Sequence, residues 1–388
     1  MKCPRCDNSD DEFFYITKGR SYCRKCVSFK RVFLDEEFRE DSRQIDIVDS
    51  SYQLSFRLTK FQQAISDSLL SNLKRGNNVL VRAVCGAGKT ELVYKSIAYY
   101  LSIGKKVCFS IPRRQVVLEL QQRLQKVFKN LNVIAVCEGN TKITEGDLII
   151  CTAHQLYRYH KKFDLLIIDE PDAFPFKGNK VLQHIAYNSC VGEMVYLSAT
   201  PDEYLLEMVD KKKLIKLDLP IRPSNLPIPL PSVLYMPVMI MLIYLIIWMN
   251  KRVTDKIQAL IFVPTIKRSK QLYLVLRKLY AIDTINSKTV DKERIIDEFR
   301  NNKLQFLLCT TILERGVTFE GIDVLIYMGA HLVYTTSSLI QIVGRIGRGV
   351  QNTKGEVCLL TNSKTIEIEK CIESIRLDNQ TAYGVIGI

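Results

Sequence analysis

The stretch Ala83–Glu91, AVCGAGKTE, limits this chain more than any other part of it. An apolar run precedes it and a helical pattern follows, so the glycines sit in a turn between strand and helix. Such a turn lets successive backbone N–H groups converge on phosphate oxygens while the helix N-terminus adds the positive end of its dipole. Gly86 and Gly88 would shape the turn, Lys89 would reach the β- and γ-phosphates, and the Thr90 hydroxyl would ligate Mg²⁺. Ala83 stands where the general pattern has its first glycine.

A triphosphate site of this kind needs carboxylates at a neighbouring strand end. Phe163–Phe174, FDLLIIDEPDAF, supplies them: Asp169 to hold the metal with Thr90, and Glu170 to polarise the attacking water. Around these motifs short apolar runs alternate with longer helical periodicity. Strands are expected at 78–84, 106–111, 131–136, 147–152, 163–169 and 194–198, with helices such as 90–103 and 114–129 between them. That alternation predicts βαβ units and a parallel sheet. It restarts beyond 252, with strands at 259–263, 306–310, 324–328 and 356–360. The fold class is therefore α/β, with two parallel-sheet lobes in tandem; that they are RecA-like and lie behind a small N-terminal Cys₄ zinc module is what the helicase resemblance of their motifs and the cysteine spacing imply. The expected divisions are 1–50 for the zinc module and linker, 51–220 for the ATP-binding lobe, 221–252 for a proline-rich linker and apolar helix, and 253–388 for the second lobe.

At the N-terminus, Cys3 and Cys6 with Cys23 and Cys26 form CxxC–x16–CxxC, a spacing suited to four thiolates on one Zn²⁺. Four ligands leave no open position, so this zinc is structural. Lys2, Arg5, Arg20, Arg24 and Lys25 give the module a basic surface fit for DNA or a protein partner. The other eight cysteines fall mostly in apolar segments and read as core. No secretory signal opens the sequence, which argues for a reducing, cytoplasmic setting. A net charge of +14 favours a polyanionic partner. The run Val233–Met249, VLYMPVMIMLIYLIIWM, carries no charge. Beyond Pro237 it is too short to span a bilayer comfortably, and a membrane crossing would part the motifs on either side of it, so it is expected as a helix packed between or against the lobes, with a membrane-facing or partner-facing patch as the alternative.

Further segments resemble superfamily-two helicases. Leu58–Gln63, LTKFQQ, resembles their adenine-reading segment through Gln62, able to pair both donor and acceptor with a purine edge. Leu197–Pro201, LSATP, resembles the motif that couples hydrolysis to lobe movement, through Ser198 and Thr200. Ser338–Arg348, SLIQIVGRIGR, resembles the arginine-finger motif, with Gln341 toward the nucleotide and Arg345 and Arg348 facing the γ-phosphate; Gly316 joins the nucleotide set. Arg113, Arg114, Thr152, Thr310 and Thr311 are the candidates for holding the phosphates of a strand, with little reading of bases.

Taken together, DEPDAFP, LSATP, the LP-x-R of Leu219–Arg222, LIFVPTI, TTILERGVTF, SLIQIVGRIGR and the four-cysteine module resemble the late competence ATPases of Gram-positive transformation (ComFA type), relatives of the primosomal replication-restart helicase. The resemblance implies an ATPase stimulated by single-stranded DNA that draws transforming DNA inward at the cytoplasmic face of the membrane uptake channel. It implies a phosphoribosyltransferase-like competence protein and a recombination mediator as partners, and a homo-oligomer is a further expectation. Pro171 departs from the family's aliphatic residue, and the 233–249 run is more apolar than the family's. Two rival readings are a primosomal helicase, against which chain length and cysteine position count, and an ATP-switched DNA-binding scaffold without turnover.

Overall fold

A computed structural model describes residues 1–36, 47–310, 319, 321–347 and 355–386. Thr311, Gly316 and Arg348 lie outside the described residues, as does most of the polar connector after Asp35. The chain divides into two units: Met1–Ala83 with Gly88–Leu219, and Val84–Ala87 with Pro220–Ile388.

The first unit opens with the antiparallel hairpin β1 (Phe14–Thr17) and β2 (Arg20–Cys23), flanked by the four cysteines. Its main sheet comprises β3 (Val79–Ala83), β4 (Val107–Ile111), β5 (Val133–Val136), β6 (Leu148–Thr152), β7 (Phe163–Asp169), β8 (Cys190–Ser198) and β9 (Ile215–Leu219). All pairings are parallel, in the order β5-β6-β4-β7-β8-β3-β9. The interior strands are near-continuous apolar runs because helices cover both faces of a parallel sheet. Helix Arg114–Val127 shows the matching pattern, burying Val117, Leu120 and Leu124 on one stripe. The edge strand β9 pairs with β3 so that Leu219 lies level with Ala83, and Arg82 pairs with Asp218 at 3.4 Å.

The second unit carries β10 (Ser232–Tyr235), β11 (Ala259–Phe262), β12 (Ile282–Ile285), β13 (Phe306–Cys309), β14 (Asp323–Ile326) and β15 (Val357–Thr361), parallel in the order β10-β15-β14-β11-β13-β12. Two parts of the expected linker belong to this unit instead. The first is β10, hydrogen-bonded along β15. The second is helix Val238–Thr254, expected between or against the lobes, which buries Met241, Leu245, Trp248 and Met249 in the second core with Ala259, Ile261 and Phe306. Its last turn is fastened by Arg252, whose guanidinium lies 4.0 Å over the Trp248 ring and donates to Asp323 at 2.9 Å and Glu356 at 2.6 Å. That core takes up one stripe of the apolar run, while Met239, Ile240, Ile243 and Ile247 on the rest of the helix are exposed. Among the described residues no helix is long and apolar enough to cross a membrane. Arg222, 3% exposed in the same unit, donates to the carbonyls of Cys85 at 2.9 Å and Ile346 at 2.7 Å.

Candidate active site

Open parallel sheets expose their chemistry at the carboxyl ends of the strands. In the first unit β7, β8 and β3 are neighbours, so three chain exits lie side by side there: Glu170 after β7, Ala199 after β8 and the phosphate loop after β3.

The loop leaves β3 with Gly86 at φ 85° and Gly88 at φ 80°, both in the left-handed region that glycine enters without steric cost. A Cβ on Gly88 would meet Gln62 Nε2 at 2.6 Å and Glu91 Oε2 at 3.3 Å, so the glycine also permits close packing. Lys89 donates its Nζ to Ala83 O at 3.3 Å, folding the ammonium back over the loop. Thr90 stands in the first turn of the short helix Lys89–Leu92.

Gln62 is 1% exposed. It closes a capping box: Thr59 Oγ1 accepts from Gln62 N at 3.3 Å, and Gln62 Oε1 accepts from Thr59 N at 2.9 Å. The expected purine pairing therefore meets an oxygen already engaged by the start of helix Lys60–Lys74, while the amide nitrogen points to Gly88.

Glu170 adopts φ 54°, a left-handed conformation that costs a non-glycine residue about 1–2 kcal/mol. Its backbone N–H donates to Leu197 O at 2.9 Å, which ties the acidic turn to β8. The same turn brings in a residue the sequence reading missed, Asp172, 4% exposed. Ser198 Oγ donates to Asp172 Oδ1 at 2.7 Å, Thr200 Oγ1 donates to Asp172 Oδ2 at 2.8 Å, and Thr200 N donates to Ser198 Oγ at 3.0 Å. One carboxylate thus bridges the acidic motif and the SAT motif. The available signal was a third acid, three residues beyond Asp169, together with the hydroxyls of the SAT segment, which need an acceptor when buried.

Thr152 ends β6 opposite Ile111 of β4, so it lies beside the start of the helix that carries Arg113 and Arg114. Arg114 donates to Glu138 O at 2.7 Å. In the second unit Thr310 is buried just past β13, with its N–H donating to Ile285 O at 3.2 Å. Gln341 and Arg345 there are 3% and 2% exposed, in and just after helix Thr336–Val343.

The four N-terminal cysteines are all buried, and their sulfurs lie within 4.8 Å of one another. Cys3 to Cys26 is 3.7 Å and Cys6 to Cys23 is 3.8 Å. Tetrahedral Zn–S bonds of about 2.3 Å place sulfurs roughly 3.8 Å apart, so the donor set fits zinc, while a disulfide needs about 2.05 Å. The crowding is electrostatic as well: hydrogen bonds from Cys26 and then Cys6 draw the Cys3 thiol well down, and its bond to Cys3 drives the Cys26 thiol upward. Arg5, expected on a basic binding surface, is instead an internal strut, 7% exposed and donating to the carbonyls of Phe29 and Lys30. Lys2 and Arg20 pair with Asp7 and Asp35. Asn188 Nδ2 donates to Arg5 O at 2.9 Å, holding the module to the rest of its unit.

Residues 55–203 match the family "Type III restriction enzyme, res subunit", and residues 238–350 match "Helicase conserved C-terminal domain". These helicase domains imply ATP and Mg²⁺ as cofactors and nucleic acid as a ligand. Among solved structures, yeast Dbp5 bound to RNA and ADP BeF3 superposes with a TM-score of 0.63 at 17% identity, over 83% of this chain and 88% of that one, which shows the two-lobed RecA-like fold. Among curated proteins, competence protein ComFA of Bacillus subtilis is 29% identical over 99% of this chain and 87% of its own length. ComFA of Streptococcus pneumoniae is 34% identical over 98% of this chain and 90% of its own length. With that coverage spanning the cysteine module and both lobes, the chain belongs to the ComFA family of competence proteins, built on an ATP-hydrolysing helicase core.

Proposed function

We propose that this protein is an ATP-driven motor that moves along single-stranded DNA during uptake of transforming DNA. The observation that carries the reading is the row of adjacent strand ends: phosphate loop on β3, SAT motif on β8 and acidic pair on β7, with Asp172 joining the last two. MgATP supplies the phosphoanhydride whose hydrolysis drives the cycle. In this reading the loop N–H groups around Gly86 and Gly88, together with Lys89, hold the β- and γ-phosphates, while Gln62 backs the loop. Thr90 and Asp169 hold Mg²⁺, and Glu170 orients the attacking water and takes its proton. Gln341, Gly316, Arg345 and Arg348 come from the second lobe, with the arginines stabilising the charge that develops on the γ-phosphoryl group. Ser198 and Thr200 sense the change through Asp172 and pass it to the strand contacts, for which Arg113, Arg114, Thr152, Thr310 and Thr311 are the candidates.

Zinc on Cys3, Cys6, Cys23 and Cys26 would knit the N-terminal module; the sulfur spacing supports it. Family membership supports action at the cytoplasmic face of the uptake channel, with a phosphoribosyltransferase-like competence protein and a recombination mediator as partners. The test is ATP turnover with and without single-stranded DNA, double-stranded DNA and RNA, for wild type and Glu170→Gln. Stimulation by the single strand and near-abolition by the substitution are expected. Equal turnover across all conditions refutes the motor.

A further inference from the structure

Where the cysteine module meets the main sheet of the first unit, an open cleft of about 470 Å³ is lined by Lys25 and Phe29 from the module and His154, Gln155 and Tyr157 from the 3₁₀ helix Ala153–Arg158. That helix begins directly after Thr152, at the carboxyl end of β6, so the cleft opens on the same rim as the phosphate loop but on the far side of β4 and β7. Phe29 and His154 stack with ring centroids 5.8 Å apart and planes 24° apart, and Tyr157 tilts against Phe29 at 6.1 Å. Phe29 and Tyr157 are half-buried and His154 is exposed, so the cluster presents ring surface to solvent. Partial burial lowers the His154 imidazole below its ordinary value. Lys25 is exposed on the rim, and the Arg158 guanidinium lies 5.1 Å over the Tyr157 ring.

We propose that this cleft is a base-stacking subsite for single-stranded nucleic acid, in which an unstacked base lies on the Phe29–His154 pair and Lys25 meets an adjoining phosphate. A solvent-open aromatic stack beside a cation is the arrangement by which sequence-tolerant proteins hold single strands, because every base offers a flat face. The proposal assigns the cysteine module a contact of its own: Phe29 packs against the metal-binding thiols on one side and serves the strand on the other. It rests on the strand-motor reading above, and it adds base faces to a grip otherwise made of phosphate contacts.

The experiment compares binding of a dT oligonucleotide with an abasic oligonucleotide of equal length, for wild type, His154→Ala and Phe29→Leu, the last chosen to retain apolar packing on the cysteines. Zinc content and melting temperature are measured alongside. Wild type should prefer the base-bearing strand by about tenfold, the scale of one stacked base, and both variants should lose most of that preference while still binding the abasic strand. Preference unchanged in both variants, with zinc retained, overturns the subsite and leaves the motor standing. Unchanged strand binding together with altered binding of an extended peptide or protein likewise overturns it in favour of a protein-docking cleft. Wild type that binds neither strand overturns the subsite and the motor reading together.

Discussion

Asp172→Asn is the substitution whose effect the structure specifies most fully. The carboxylate accepts two hydroxyl bonds, from Ser198 at 2.7 Å and Thr200 at 2.8 Å, in a site 4% exposed. Hydrogen bonds to a charged partner contribute about 1.5–3 kcal/mol each. Asparagine keeps one accepting oxygen and turns an NH₂ donor to the other hydroxyl, which then accepts, so both contacts persist only as neutral bonds and lose the strength that the charge gave them. The expected destabilisation is about 2–3 kcal/mol. For a lobe of roughly 200 residues, each kcal/mol moves the midpoint by about 2–4 °C, giving a fall of about 5–10 °C in that lobe's calorimetric transition. Because the two hydroxyls share one acceptor, the double variant with Ser198→Ala should cost less than the sum of the single variants. Strand-stimulated turnover should fall further than strand-free turnover if Asp172 links the acidic turn to the SAT motif. A transition within about 1 °C of wild type, or strict additivity in the cycle, refutes the bridging role.

Four more outcomes follow from the contacts described above. Gly88→Ala places a Cβ 2.6 Å from the Gln62 amide at φ 80°, so it should cost about 1 kcal/mol in backbone strain and weaken binding of a fluorescent ATP analogue at least about tenfold; unchanged affinity argues against the loop geometry. Asp323→Ala leaves Arg252 buried without its inner partner and should cost about 3–5 kcal/mol in urea unfolding. Glu356→Gln, on a carboxylate side chain 72% exposed, should cost about 0–1 kcal/mol, and equal losses from the two would show that burial does not govern this pair. Elemental analysis should find about one zinc per chain, lost in Cys23→Ser; a metal-free chain with the module still folded refutes the zinc assignment.

The parts of the site legible in the sequence were those that interrupt a buried strand. Asp169 follows the run LLII, where a charge leaving a buried strand is conspicuous, and Lys89 follows a glycine turn placed between the run VLV and a helical pattern. What escaped was tertiary. Asp172 matters through hydroxyls 26 and 28 positions away, and Arg5 is a strut because carbonyls at positions 29 and 30 fold over it. The strands β9, β10 and β12 escaped because each lies at a sheet edge, so IKLDL, SVLY and IDTI keep polar or exposed positions instead of an unbroken apolar run. The helix expected over 90–103 divides at Val93, whose N–H turns to Thr90 O, a local tightening that periodicity does not register. The T-x-x-Q spacing of Thr59 and Gln62 makes the capping box legible beside the expected purine contact of Gln62.

The register between β3 and β9 has a mechanical corollary. Ala83 and Leu219 are level with each other, and the chain departs from the first sheet immediately after each: into the phosphate loop from one, into Pro220 and the start of the second unit's long segment from the other. Two exits anchored on adjacent hydrogen-bonded strands share a footing, so a loop that tightens on its ligand tugs at the root of the crossing without needing a relay through the body of the lobe.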